Sequence, residues 1–257
     1  MADNHRENLR TDSPDSRADV IFGRNPVSEA IRSGRAIDSI LVAKGAKTGA
    51  IVGILAKARE KKIHVKEVDP KKLDYLCSGG THQGIAAMAA VVEYKELEDI
   101  FSLAQERGEA PFVLVLDEIE DPHNLGAIIR SAECAGAHGV IIPNRRSAGL
   151  SFTVGKAAAG AVEYVPVVRV PNIPSVIDTL KDRGLWVFGA DMGGEDYRKC
   201  DFSGPVALVI GNEGRGIGRL VREKCDVMVS LPMKGSINSL NASVAAGILM
   251  YRIADGR

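Results

Sequence analysis

Pro111-Phe-Val-Leu-Val-Leu-Asp-Glu-Ile-Glu-Asp-Pro-His-Asn-Leu-Gly-Ala-Ile-Ile-Arg130 is the stretch that decides the fold. Its opening run, Phe112–Leu116, is apolar at every position, the pattern of a strand covered on both faces. A turn follows at Asp121-Pro122, and Asn124 stands where it would cap a helix reaching Ala135. Five later β-branched runs share this character: Gly139–Ile142, Tyr164–Val168, Leu185–Gly189, Val206–Ile210 and Asp226–Leu231. Helical segments at Val154–Ala161, Ile173–Arg183 and Ile217–Lys224 separate most of them. Buried strands alternating with helices predict an α/β domain with a mostly parallel sheet flanked by helices. The last helix, Ser239–Ile253, puts Leu240, Val244, Ile248 and Tyr251 on one stripe, which predicts that this face packs on the sheet. The opposite face, with Ala245, Ala246, Gly247 and Leu249, is small enough for close approach to another surface.

Upstream, residues 20–93 form a smaller α/β unit. Ile37–Val42, Ile63–Val68 and Gly84–Val92 are its expected strands. Pro26–Arg32 and Gly49–Lys62 are its helices, with Ile51, Leu55 and Ala58 at helical spacing. Residues 94–110, charged and helix-prone over Tyr94–Gly108, read as a linker, and 111–257 as the larger domain. Residues 1–19 lack apolar periodicity and read as a disordered leader without the apolar region of a signal peptide. Apolar stretches such as Ile85–Val92 fall short of the roughly 20 residues of a membrane span. A cytoplasmic protein with no membrane contact is expected. Cys77, Cys134, Cys200 and Cys225 form no C-x-x-C pair, which predicts buried, reduced thiols and no metal.

The 33 basic and 33 acidic residues balance, but unevenly along the chain. Residues 20–93 hold 12 Lys/Arg against 7 Asp/Glu, a net of +5 that includes Arg24, Arg32, Arg35, Lys44 and Lys47. The leader carries −2 and residues 94–257 carry −3. On charge alone, a solvated surface is the default reading of the basic segment; a nucleic-acid partner is the alternative.

Chemistry is expected where polar residues crowd the carboxyl ends of strands, because ligands of open α/β sheets bind there. Three segments qualify. In Asp117–Arg130, Asn124 is at least an N-cap, and Arg130 offers a forked donor on a stem expected to be part-buried beside Ile128 and Ile129. In Leu208-Val-Ile-Gly-Asn-Glu-Gly-Arg-Gly-Ile-Gly218, four glycines in eight residues let a ligand approach the backbone. Glu213 within that loop disfavours a phosphate and suits a ribose or a cation. The dinucleotide fingerprint G-x-G-x-x-G is absent, which argues against a nicotinamide-dependent oxidoreductase. In Leu231–Ser243, Ser236, Asn238, Ser239 and Asn241 exceed what capping needs, and Ser239 or Asn238 is the expected cap of the last helix.

Asn124-Leu-Gly126-Ala-Ile-Ile-Arg130, Gly211-Asn-Glu213-Gly-Arg-Gly216, and Leu231-Pro-Met233 with Ser239-Leu-Asn241-Ala-Ser243 resemble, in order and spacing, the three motifs of the SpoU (TrmH) family of RNA ribose 2′-O-methyltransferases. Ile21-Phe-Gly-Arg-Asn-Pro-Val-Ser-Glu-Ala and Thr81-His-Gln-Gly-Ile85 resemble the ribosomal-protein-like RNA-binding domain of the RlmB branch, which methylates a guanosine in the peptidyl-transferase loop of 23S rRNA. The resemblance implies a trefoil-knotted SPOUT fold, S-adenosylmethionine as methyl donor, RNA as substrate and a homodimer. It implies catalytic roles for Arg130, Asn124, Glu213, Ser239 and Asn241. Gly211, Leu231 and Leu240 would touch the donor, with Gly189, Ile210 and Met233 lining its adenine pocket, and Arg24, His82 and Gln83 would meet RNA. A methyltransferase for tRNA or another 23S site, and a silent RNA-binding or ribosome-assembly protein, are the alternatives.

Overall fold

The computed structural model describes residues 20–46 and 49–257. The expected leader at 1–19, and Lys47, lie outside the described residues. The chain divides into two compact units, one ending at Ala89 and one running Ala90–Arg257.

The first unit contains β1 (Val20–Phe22), α1 (Arg24–Arg32), β2 (Ile37–Ala43), α2 (Ala50–Glu60), β3 (His64–Val68), α3 (Pro70–Leu76) and β4 (Ile85–Ala89). Its sheet has the order β1-β4-β2-β3, with β2 and β3 parallel and the other pairs antiparallel. The expected stripe Ile51, Leu55 and Ala58 is buried in one core with Val27, Ile40 and Ile85. The short strand β1 and helix α3 were not expected. Asp69 starts α3 by accepting the Lys71 amide at 3.0 Å, and Pro70 fills the first turn, where no N–H is needed.

The second unit opens with α4 (Leu97–Arg107) and continues with β5 (Phe112–Asp117), α5 (Pro122–Cys134), β6 (Gly139–Pro143), α6 (Phe152–Ala158), β7 (Val167–Val170) and α7 (Ile173–Asp182). It ends with β8 (Trp186–Asp196), β9 (Val206–Gly211), α8 (Arg219–Lys224), β10 (Val227–Ser230) and α9 (Ala242–Ala254). All six strands are parallel, in the order β10-β8-β9-β5-β6-β7. The chain leaves β5 toward β7 and later returns to lay β9 on the other side of β5, so direction reverses between β5 and β9. Asp117 and Gly211 are paired at the carboxyl end of that junction, where ligands of open α/β sheets bind.

Alternate residues of β5 feed two cores. Phe112, Leu114 and Leu116 pack with Leu125, Ile128, Leu249 and Ile253; Val113 and Val115 pack with Ile100, Ile177 and Leu180. Each such side chain contributes about 1.5–3 kcal/mol on full burial, so polar groups are confined to the strand ends.

Four expectations need correction. The segment read as a linker is α4: Ile100 and Ala104 are buried in the second unit, and Gly139, lacking a Cβ, leaves room for Ile100. Helix α9 buries Ala246, Leu249, Met250 and Ile253, and exposes Leu240, Val244, Ile248 and Tyr251 at and beyond its start. A helix apolar on most sides carries no pattern that selects its inner face; the alanines at 242 and 246 let that face approach closely. Strand β8 runs seven residues past Gly189, and its pairing with β10 jumps from Gly189–Met228 to Glu195–Val229, so residues 190–194 bulge out. Cys134 is exposed, whereas Cys77 and Cys200 are buried. Among the described residues, no helix is long and apolar enough to cross a membrane.

Candidate active site

Asn124 does not cap α5. Asp121 does so, accepting the His123 amide at 2.9 Å, and Asn124 follows as a buried residue of the first turn. Its carboxamide is thereby left for long-range bonds. Asn124 Nδ2 donates to Glu213 Oε1 across 89 residues of chain, and Asn124 Oδ1 accepts from Asn241 Nδ2 at 2.9 Å. Asn241 Nδ2 also lies 3.3 Å from Glu213 Oε1. Asn241, rather than Ser239 or Asn238, caps α9: its Oδ1 accepts from the amides of Ser243 at 2.9 Å and Val244 at 3.3 Å. Because an ionised Glu only accepts, it turns both NH₂ groups inward and fixes the orientation of both amides. Three segments distant in sequence thus converge on one carboxylate.

Arg130 and Ser239 stand apart from this cluster. Both are exposed, and neither side chain makes a hydrogen bond or ion pair among the described residues. Arg130 as a whole is exposed, because Leu125, Ile128, Ile129 and Ala132 line the inner face of α5. Gly126, the middle residue of that motif, has a packing role: a Cβ there would sit 2.5 Å from the Ala157 Cβ and 2.8 Å from the Val154 carbonyl oxygen.

The glycine loop is closed on itself. A Cβ on Gly211 would lie 2.3 Å from backbone atoms of Gly216 and Ile217, so only glycine permits this crossing. The Asn212 and Gly216 amides each donate to the other's carbonyl, at 3.1 and 2.7 Å. Asn212 Nδ2 donates to the Glu118 carbonyl at 3.0 Å, while its Oδ1 accepts from the amides of Gly214 and Arg215. Asp117 Oδ2 accepts the Gly218 amide at 2.7 Å, and burial raises the pKa of this carboxyl against the lowering effect of that bond. Asp117 and Asn212 were not anticipated. The available signals were an acid closing an apolar strand, and an Asn opening a glycine turn.

Of the expected donor residues, Gly189 lies opposite Val209 where the pairing of β8 with β9 ends, and Ile210 directly precedes Gly211. A Cβ on Gly189 would come within 2.8 Å of both Cys225 Sγ and Met228 Sδ. Burial and the adjacent Asp226 push the Cys225 thiol up to about 12, so it stays protonated there. Leu231, Met233 and Leu240 belong to the segment Leu231–Asn241, which is half-buried at its first residue and exposed thereafter.

In the first unit, Arg24 and Gln83 are exposed and joined: the Arg24 amide donates to Gln83 Oε1 at 3.0 Å. His82 is mostly covered, its Nδ1 accepting the Gly84 amide and its Nε2 donating to Asp74 Oδ1, both at 3.0 Å. Its ring holds the turn, so exposed Arg24 and Gln83 are the accessible members of that expected set.

An all-parallel sheet whose switch point joins a carboxamide–carboxylate cluster to a crowded glycine loop defines a ligand-binding α/β enzyme. Comparison with known proteins makes this specific. The SpoU rRNA Methylase family matches residues 111–251, and the family described as RNA 2′-O ribose methyltransferase substrate binding matches residues 20–95. A protein of Bacillus subtilis (strain 168), described as a TrmH family tRNA/rRNA methyltransferase, is 48% identical over 236 residues, covering 91% of this chain and 94% of its own. A solved SpoU methyltransferase, AviRb from Streptomyces viridochromogenes with AdoMet bound, aligns with a TM-score of 0.58 and 27% identity, covering 92% of this chain and 89% of that one. The AdoMet-bound rRNA methyltransferase of Sinorhizobium meliloti aligns with a TM-score of 0.56 and 26% identity, covering 91% and 86%. The chain belongs to the SpoU rRNA methylase family. It is an RNA methyltransferase that uses S-adenosylmethionine.

Proposed function

We propose that the protein methylates a ribose 2′-hydroxyl of RNA, and that its target is a guanosine in the peptidyl-transferase loop of 23S rRNA. The observation that carries this reading is the Asn124–Glu213–Asn241 cluster set beside the closed glycine loop at the sheet's switch point. S-adenosylmethionine supplies an electrophilic methyl on a cationic sulfur. The residues present suit it: Gly211, Gly189 and Ile210 offer backbone and apolar surface, and Glu213 and Asp117 supply negative charge. Leu231, Met233 and Leu240 complete the donor pocket in this reading.

A ribose hydroxyl must lose its proton as it attacks. A guanidinium stays protonated in proteins, so Arg130 serves as a phosphate anchor and stabilises the developing alkoxide, while water or phosphate takes the proton. Its exposure leaves it available to RNA. Asn124, Glu213, Ser239 and Asn241 position the ribose. The first unit, with its net +5 and its Arg24–Gln83 pair, holds the RNA, and the enzyme works in the cytoplasm on rRNA or an assembly intermediate.

The exposed stripe Leu240, Val244, Ile248 and Tyr251 supports a homodimer, with these side chains buried between two copies. Sedimentation at micromolar concentration should give twice 27.4 kDa; a 27.4 kDa species would contradict it. The expected threading of the C-terminal segment belongs to the same reading.

The test uses purified protein, labelled donor, and 23S transcript, assembly intermediates and tRNA in separate reactions. Label on a 23S guanosine ribose is expected; label only on tRNA would move the target, and no ribose label on any RNA would sink the reading. Arg130→Lys should lose nearly all turnover while donor binding survives. Lost donor binding in that variant would place the residue in the donor pocket instead.

A further inference from the structure

Residues 94–257 carry a net −3, a poor balance for a surface that must meet RNA. The charge is not spread evenly, and one acid draws two arginines to the carboxyl ends of the central strands. Glu118, the residue after β5, accepts Arg146 Nη1 at 3.0 Å on Oε1 and faces Arg215 Nη2 at 3.5 Å on Oε2. Arg146 comes from the loop after β6 and Arg215 from the glycine loop after β9, so guanidiniums from two separate loops share one anion. Arg215 lies equally close to Glu120. The arrangement is held in place: Asn212 Nδ2 grips the Glu118 carbonyl, and Asn212 Oδ1 takes the Arg215 amide. Arg215 stands two residues from Glu213, which ties this group to the reaction cluster. The Arg146 and Arg215 side chains are 68% and 64% exposed, against 27% for Glu118.

We propose that Arg146 and Arg215 form a backbone-phosphate site for the RNA substrate, and that the Glu118 carboxylate occupies it until a phosphate takes its place. This rests on the RNA-methylation reading and names the contact that holds the strand beside the cluster. A carboxylate and a phosphodiester each offer two oxygens to guanidinium donors, so a group that satisfies both arginines with a carboxylate is shaped for a phosphate. Ion pairs this exposed are weak, so exchange for an incoming phosphate is inexpensive. The site is open rather than enclosed, which suits a polymer backbone better than a free anion. Arg145, exposed beside Arg146, adds to the local positive field once the carboxylate is displaced. Glu118 meanwhile keeps the unliganded surface near neutral and discourages unselective polyanion binding.

The test measures the affinity of the full chain for a short mixed-sequence single-stranded RNA across a salt series, with donor binding and melting temperature as controls. Arg146→Ala and Arg215→Ala should each flatten the plot of log K against log salt by about 0.7, the slope of one phosphate contact on a single strand. That slope makes each variant's affinity deficit against the wild type about fivefold larger at 0.1 M than at 1 M salt. Glu118→Gln should bind more tightly than the wild type and with a steeper slope, because Arg146 no longer exchanges one anion for another and Arg215 keeps only Glu120 as a competing acid. Donor affinity should not change in any of the three. Wild-type slopes in both arginine variants, or no tighter binding by Glu118→Gln, would overturn the proposal. Ribose methylation of 23S transcript and assembly intermediates, scored with the same protein preparations, separates the two readings. Labelled riboses with unmoved slopes defeat this site alone; moved slopes without label support the site and defeat the methylation reading.

Discussion

Two loops leave the same edge of the second unit's sheet and are built in opposite ways. The glycine loop after β9 is held by hydrogen bonds from Asn212 in three directions, by the Asp117–Gly218 bond, and by a backbone crossing that excludes any Cβ at Gly211. The segment after β10, residues 232–240, is exposed and makes no hydrogen bond among the described residues until Asn241 anchors it. One wall of the candidate site is therefore held by its own hydrogen bonds, whereas the other has none of its own among the described residues. Preorganised groups cost little reorganisation when charge develops, which suits the loop that carries Glu213.

The comparison can be broken most sharply at Gly211. Gly211→Ala places a Cβ 2.3 Å from backbone that cannot move aside, so donor affinity should fall about 5- to 150-fold, as about 1–3 kcal/mol of overpacking requires. Calorimetric titration with S-adenosylmethionine measures this; wild-type affinity would show that the crossing is not part of the donor wall. Asn241→Ala removes both a helix cap and the amide that faces Glu213, and should cost about 1 kcal/mol of stability along with most methyl transfer. Asn241→Ser should regain the stability without the transfer, and equal activity in the two variants would separate the cluster from the reaction.

Away from the site, burial lowers the pKa of His138, whose ring is fully covered beside Glu109, from 6.5. Well above pH 6.5 the ring is neutral in both folded and unfolded chains. As pH falls below that value the unfolded chain takes up a proton first, so stability is lost down to the folded pKa. Melting temperature should therefore drop between pH 7 and pH 5 in the wild type and drop less in His138→Gln; parallel curves would remove His138 as the cause. The smallest effect belongs to the open loop. Gly235→Ala meets nothing within 4 Å and should change stability by less than about 0.5 kcal/mol. A large loss of folding stability would show that segment to be packed.

The sheet was readable because burial on both faces demands apolar residues at every position, as in Phe112–Leu116 and Val206–Ile210. The site was readable as three polar segments at strand ends. Which atoms meet was not: Asn124 read as a cap because Asp121, three residues earlier, is equally able to cap, and only one of them can face inward. Arg130 was expected to have a part-buried stem because its neighbours are apolar; those neighbours take the inner face of α5 and turn the residue outward. Helix α9 gave the wrong face for a similar reason. Its apolar residues surround most of the axis, and packing of Leu249, Met250 and Ile253 on the sheet decided among them.

The order of apolar runs and the three polar segments were settled by residue pattern alone, since strand burial and glycine requirements are local and leave their mark in every window of chain. The joining of Asn124, Glu213 and Asn241, the Glu118–Arg146–Arg215 group and the outward stripe of α9 were decided only by tertiary structure. Each depends on partners tens of residues apart, and no local pattern encodes which side chain a distant loop will meet.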